Sequence, residues 1–322
     1  MKAAVVDAFG TPRYTDFPDP IPTGRTEVAT VVAAAIKNLD RGLVAGTHYG
    51  SAGLALPFVA GIDGIARLDD GRLVYANATQ PYGLMAERTL VDPELAADVP
   101  ADIDPALAAA VPNAGLSAWF SLEYAASVRP GQTVVVLGAT GVTGSVAVQL
   151  AKARFGAGRV VAVGRNRERL DRLRTAGADQ SIVLDGDAGE HLVELHREYP
   201  IDVVLDYLWG APAEQLLAVL GNAGLTASYH RTRFVQIGSM AGPTITLPAG
   251  ILRSAGVELI GTGLGSVPQE GLARVRTEQL PELFTLAADG RLHIDTQAHP
   301  LREVAEVWAD GEPSGTRTVL VP

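Results

Sequence analysis

Two kinds of hydrophobic patterning divide the chain. Up to about Trp119 the apolar positions come in short runs broken by Gly, Pro and Asp. Ala3 to Val6, Val28 to Ala35, Leu73 to Ala76 and Ala86 to Val91 read as strands bounded by turns. In this part only Pro105 to Val111 reads as a helix, with Asp104 as N-cap and Pro105 at the first helical position. From Thr133 onward the pattern changes to a regular alternation. Thr133 to Leu137 is a continuous apolar strand, and Val142 to Phe155 has helical periodicity. Arg159 to Val163 is the next strand, followed by a charged helix from Arg167 to Thr175 that stops at Gly177. Ser181 to Leu184, Val203 to Leu205, Phe234 to Ile237 and Glu258 to Ile260 continue the strands. Helices near Glu190 to Tyr199 and Ala213 to Leu220 lie among them. Strands that are apolar throughout and alternate with helices predict a parallel sheet covered on both faces. From about Gly265 the pattern gives one or two helices and a last strand, Thr318 to Val321.

Composition narrows the classes. The chain has 322 residues, 47% of them hydrophobic and 19% charged, enough for a full-sized core. At roughly 100–200 residues per domain, two domains are expected. The net charge of −10 and pI near 5.1 provide no basic footprint for nucleic acid. There is no cysteine, which excludes disulfides, thiolate metal sites and a cysteine nucleophile. The start, MKAAVVDAFG, lacks the basic-then-apolar pattern of a secretion signal, and no apolar stretch is long enough to span a membrane. A cytoplasmic protein is the expectation.

One motif carries chemistry. In VVVLGATGVTG, Ala139, Gly141 and Gly144 form A-x-G-x-x-G between a strand and a helix. A small residue at 139 suits the tight turn, Gly141 lets backbone approach a pyrophosphate, and Gly144 lets helix pack closely on strand. The N–H groups that open the helix, over Ala139, Thr140, Gly141, Val142, Thr143 and Gly144, then face the phosphates with the positive end of the helix dipole. The end of the second strand distinguishes the two nicotinamide cofactors. An acidic residue there holds a ribose 2′-hydroxyl. This chain has Gly164, Arg165 and Asn166 instead. Arg165 offers a planar guanidinium to a 2′-phosphate. The stretch RNRER is otherwise a solvated helix start, although three arginines there oppose the macrodipole. The expected cofactor is NADPH.

Beyond this motif, matching stretches run along nearly the whole chain. They are Leu56-Pro57-Phe58-Val59-Ala60-Gly61-Ile62-Asp63-Gly64, Tyr82-Gly83-Leu84-Met85-Ala86-Glu87, and Ala109 to Trp119. RPGQTVVVLGATGVTGSVAVQLAK, Ile201 to Asp206 and Thr318-Val319-Leu320 complete the set. In these the sequence resembles the medium-chain dehydrogenase/reductase superfamily, specifically its zinc-independent quinone oxidoreductase branch. The resemblance implies a Rossmann-type doubly wound parallel sheet, residues 120–264, inserted into a GroES-like, β-rich catalytic domain. That domain would be made of residues 1–119 and 265–322, with the active-site cleft between the two. It also implies a homodimer joined through the edge strand Val257 to Gly261. Zinc alcohol dehydrogenases of the superfamily use Cys ligands and a His-Glu pair; here that pair reads Ile62-Asp63, and the six histidines are scattered. No set of four convergent ligands is visible, so no metal is expected.

Without a metal, hydride transfer needs an acceptor whose conjugation spreads the incoming charge, such as a quinone or an α,β-unsaturated carbonyl. The resemblance puts Asn38 near the nicotinamide ribose or the substrate, and Tyr49 in the acceptor pocket. The family spacing is N-x-x-D, whereas this chain has N-x-D at Asn38 and Asp40. Asp40 and Arg41 would pair with each other or with solvent. His48 is either a proton donor or an exposed loop histidine. Ser117 matches a hydroxyl near the nicotinamide, or is a helix-start cap. Ile237, Gly238 and Ser239 follow the fifth strand, at the strand ends where ligands bind. Leu264 would close the same cleft. Arg317 reaches the cofactor or lies on the surface, and Glu87 is expected to be a structural ion-pair residue. Tyr207 and Trp209 line the cofactor site or pack. The competing reading from another class is an NADPH-binding redox sensor or structural protein without turnover.

Overall fold

The computed structural model describes residues 1–221 and 229–322. Two compact units result: Met1–Asn113 with Arg274–Pro322, and Ala114–Ala273. The boundaries fall at 113/114 and 273/274, against the 119/120 and 264/265 read from the pattern change.

Among the described residues the inserted unit has six strands. They are β1 (Thr133–Leu137), β2 (Arg159–Gly164), β3 (Gln180–Val183), β4 (Val203–Asp206), β5 (Thr232–Gln236) and β6 (Val257–Gly261). Their order is β3-β2-β1-β4-β5-β6, all parallel. This is the doubly wound order of a dinucleotide-binding sheet, with its reversal between β1 and β4. Every residue of β1 and β4 is buried, which is why these strands read as unbroken apolar runs. Helices α1 (Val142–Ala153), α2 (Arg167–Thr175), α3 (Ala188–Glu198) and α4 (Gly210–Leu220) connect the strands. One core cluster joins Val135, Leu137, Val161 and Val163 of the sheet to Leu192, Leu195, Leu216 and Leu217 of α3 and α4. The edge strand β6 leaves Leu259 exposed.

The other unit is built from both chain ends. A seven-stranded sheet runs Asp295–Pro300, Thr316–Val321, Glu27–Ala35, Asp63–Arg67, Leu73–Asn77, Ala97–Asp98, with Arg88–Val91 also paired to Glu27–Ala35. The last strand joins the first part by antiparallel pairing, Val319 to Ala35 and Leu320 to Ala34. A small sheet of Arg13–Asp16, Lys2–Val6 and Phe58–Val59 lies in the same unit. Glu87 holds it locally by accepting the Lys2 backbone N–H at 2.7 Å, so the contact it makes is to backbone. This is a GroES-like, β-rich unit with a Rossmann unit inserted.

The helix expected to end near Val111 runs from Pro105 to Phe120, through Pro112, Asn113 and Gly115. Ala108, Ala109, Ala110, Val111, Ala114 and Ala118 are all buried. Burial on several faces outweighs the helix-breaking residues. Ser117 therefore lies deep in a helix and is no helix-start cap; its carbonyl accepts the Ser121 hydroxyl at 2.7 Å.

Candidate cofactor and acceptor sites

The glycine turn sits where β1 ends. Gly138 takes φ +89°, so the left-handed residue is one position earlier than the small residue at 139 that the motif suggested. The N–H groups of Gly138 and Ala139 both donate to Val163 O, at 2.9 and 3.0 Å, and Gly141 N–H donates to Gly138 O at 3.1 Å. These bonds lock the turn onto the end of β2. A Cβ at Gly144 would lie 2.3 Å from Gly138 O, so only glycine lets α1 pack this closely. At Gly141 a Cβ would meet only Gly138 O, at 3.5 Å. Gly141 is the N-cap of α1, and no side chain caps that helix end. Open space at 141 and a helix start that lacks a side-chain cap fit a pyrophosphate group.

Gly164 has a packing reason that the sequence did not reveal. A Cβ there would lie 2.6 Å from Thr140 Cγ2 and 2.9 Å from its Oγ1. The missing side chain admits Thr140, which is buried. Asn166 caps α2, its Oδ1 accepting Arg169 N–H at 3.1 Å. Arg167 pairs with Asp185 at 3.0 Å. Arg165 is exposed. Within this basic stretch, then, Arg165 is exposed, Arg167 is paired and Asn166 caps the helix.

Asp206 ends β4 and is fully buried. Its Oδ1 accepts the N–H groups of Leu208 and Trp209, at 2.8 and 3.0 Å. Its Oδ2 has no partner. Burial pushes this carboxyl up to about 6, against the lowering effect of the two N–H donors. These bonds brace a strained turn, because Trp209 has φ +56°. Tyr207 is buried with its hydroxyl unpartnered, and burial raises its pKa. Trp209 packs against the core of the unit. Beside the turn, Ile237 and Gly238 donate their N–H groups to Asp206 O, at 2.8 and 3.1 Å. A Cβ at Gly238 would lie 2.6 Å from Tyr207 O, so the two strand-end turns touch through backbone. Ser239 follows, and Leu264 opens a short exposed turn, Leu264–Ser266.

The acceptor candidates lie in the other unit. Asn38 begins the helix Asn38–Val44. His48 precedes the turn Tyr49–Gly53, and its Nδ1 accepts Gly50 N–H at 3.0 Å. Nε2 is then the nitrogen left to carry a proton. The Tyr49 ring is 85% exposed and stacks on His48 at 3.9 Å between centroids. Asp40 and Arg41 do not pair with each other. Asp40 is buried against Lys37, while Arg41 donates to Trp308 O at 2.6 Å and lies over its ring. Arg317 is not on the surface, and its Nε is buried without a partner. It is buried, donating to Ile36 O at 2.9 Å and pairing with Glu312 at 3.2 Å.

Residues 141–278 match the family model described as zinc-binding dehydrogenase. The chain is 28% identical, over all of both proteins, to the probable NADPH-dependent quinone reductase tdiC of Emericella nidulans. It is also 28% identical to a mycocerosic acid synthase-like polyketide synthase of Mycobacterium tuberculosis, covering 94% of this chain but 14% of that protein. The chain thus spans about one seventh of that synthase's length. The structure of the quinone oxidoreductase from Thermus thermophilus superposes with TM-score 0.79, at 25% identity and full coverage of both chains. In sequence and fold the chain is thus similar to quinone oxidoreductases, in line with the resemblance to the medium-chain dehydrogenase/reductase superfamily.

The residues present do not fit the zinc for which the matched family is named. Among the described residues, no three His, Cys, Asp or Glu side chains converge as a metal site. The position of the His-Glu pair holds Ile62 and Asp63, and Asp63 faces an ammonium, Lys37 Nζ at 2.5 Å. No helix among the described residues is long and apolar enough to cross a membrane.

Proposed function

We propose that this chain is an NADPH-dependent reductase that delivers hydride to a quinone or an α,β-unsaturated carbonyl compound without zinc. The observation that carries the reading is the Gly138–Gly144 turn, which leads into a helix N-terminus without a side-chain cap. Residues 139–144 would hold the pyrophosphate, Gly164 and Arg165 the ribose 2′-phosphate, and Ile237, Gly238 and Ser239 the nicotinamide ribose, with Ser117 and Leu264 as further lining. The nicotinamide supplies the hydride. What the chain supplies is binding, orientation and a hydrogen-bond donor for the acceptor oxygen as charge develops on it. Asn38, Tyr49 and the His48 Nε2–H are the donors offered for that task. Support comes also from the names of the relatives, tdiC and the Thermus enzyme among them. A homodimer joined along the free edge of β6 and a cytoplasmic location belong to the same proposal.

The test follows the absorbance of reduced cofactor with a panel of quinones, enones and alcohols, with NADPH and NADH, before and after chelator treatment. Turnover of quinones or enones with NADPH, unchanged by chelation, is expected. Turnover with NADH alone, or only after zinc is added, would overturn the proposal. Tight NADPH binding without any turnover would point to the sensor instead. Arg165→Glu should weaken NADPH at least tenfold and NADH by less than about twofold, because a guanidinium–phosphate contact is a charge-assisted pair. Equal effects on both cofactors would remove Arg165 from the site.

A further inference from the structure

One buried charge cluster is not used by the cofactor reading. Lys37 is 1% exposed and precedes the helix Asn38–Val44. Its Nζ lies 2.5 Å from Asp63 Oδ1, 3.2 Å from Asp40 Oδ2 and 3.0 Å from Ala35 O. Asp40 in turn accepts the Lys37 backbone N–H on Oδ2 and the Ile62 N–H on Oδ1, both at 3.0 Å. Burial, with the Asp63 charge nearby, raises the pKa of the Tyr75 phenol. One ammonium therefore ties together the end of Glu27–Ala35, the first turn of the helix and the Ile62–Asp63 segment. The neighbouring cations are committed elsewhere, Arg317 to Ile36 O and Glu312, and Arg41 to Trp308 O.

Asp40 and Asp63 are the buried carboxylates of this unit among the described residues, and they converge on Nζ alone. Burial works against the ammonium, but the two carboxylates outweigh it and raise the Lys37 pKa, so the cation stays charged. Burial and the Asp63 charge raise the pKa of Asp40, with Lys37 opposing them. Such clusters are a poor source of net stability compared with apolar side chains, yet breaking one partner is costly. Their use is to hold segments in one geometry. Here the geometry held is the start of the segment that carries Asn38, His48 and Tyr49.

We propose that Lys37 is a resident cation that positions the Asn38–Tyr49 segment, filling the point where Asp40 and Asp63 converge and leaving no room there for a metal ion. It is a positioning residue, acting through the segment it anchors. The proposal rests on the reading that this segment serves the acceptor.

Three full-length proteins test it: wild type, Lys37→Met, and Lys37→Met with Asp63→Asn. Lys37→Met leaves two buried carboxylates without a counter-ion. Its unfolding midpoint should fall by about 10 °C at pH 7.5, because breaking one partner of a buried charge cluster is costly. The double variant should regain most of the midpoint, because Asp40 keeps its two backbone N–H donors. In that stable double variant kcat with a quinone should fall at least tenfold, while the NADPH Kd stays within about twofold of wild type. Wild type dialysed against zinc and then against metal-free buffer should retain less than about one tenth of an equivalent, as expected for a site without convergent ligands. Any of four results would overturn the proposal. These are a wild-type midpoint for Lys37→Met at pH 7.5, wild-type kcat in the double variant, an NADPH Kd weakened in step with kcat, or one zinc retained per wild-type chain. A wild type that never oxidises NADPH sinks the proposed function instead, and the stability measurements then still decide whether Lys37 is the clamp.

Discussion

Gly141→Ala and Gly144→Ala are expected to fail in different ways. A Cβ at 144 would lie 2.3 Å from Gly138 O and 2.9 Å from Ala139 Cα. Both are backbone atoms of a turn held to Val163 O by two N–H bonds, so no rotamer change can relieve the clash. The helix must move away from the strand. Overpacking of this kind costs about 1–3 kcal/mol, and a backbone clash belongs at the upper end. For a unit of this size that lowers the unfolding midpoint by roughly 5–10 °C. A Cβ at 141 meets nothing closer than 3.5 Å. The backbone there, φ −78° and ψ 165°, suits alanine. Gly141→Ala should therefore leave the midpoint of the cofactor-free protein within about 2 °C of wild type, with a small gain from the stiffer unfolded chain. Its loss should appear only when cofactor is added. A methyl group in the phosphate cradle should raise the NADPH Kd at least tenfold, equivalent to about 1.4 kcal/mol. Thermal unfolding without cofactor and a fluorescence titration with NADPH separate the two effects. A wild-type midpoint for Gly144→Ala would refute the packing argument. NADPH affinity within about twofold of wild type for Gly141→Ala would refute the cradle.

Two further outcomes follow from the same unit. Asp206 is raised from 3.8 to about 6, so its stabilising contribution is complete below about pH 4 and is lost as pH rises through 6. Asp206→Asn lacks that dependence, and its stability relative to wild type should improve by up to about 3 kcal/mol between pH 4 and pH 7.5. Urea unfolding at the two pH values measures this, and an identical offset at both would contradict it. Gly164→Ala should destabilise by about 1–3 kcal/mol, since its Cβ would collide with Thr140 Cγ2 at 2.6 Å. Adding Thr140→Ala should recover most of that loss, because the nearest atom left is then the Thr140 Cβ at 3.3 Å. No recovery would mean that the strain lies elsewhere.

What the amino-acid sequence determined by itself was local. Apolar runs marked the six strands described in the inserted sheet to within two residues, and helical periodicity marked α1 to α4 but not the short helix Ala249–Ser254, because the pattern of burial repeats along each longer element. The glycine turn was legible for the same reason: strand, turn and helix are contiguous in the chain. Two chain ends forming one unit was a matter of resemblance, and the structure supplies the pairing, Val319 to Ala35 and Leu320 to Ala34. Tertiary structure alone decided the partners. Lys37 meets Asp63 through the register of Glu27–Ala35 on Asp63–Arg67. Arg317 is consumed by Ile36 O, just beyond a neighbouring strand. Gly164 is small because Thr140, from a different turn, needs the space. The helix Pro105–Phe120 survives its proline because its surroundings bury it. No local pattern encodes which side chains meet across a sheet. That depends on strand register and on which faces the fold closes, and those are set only when distant segments pack together.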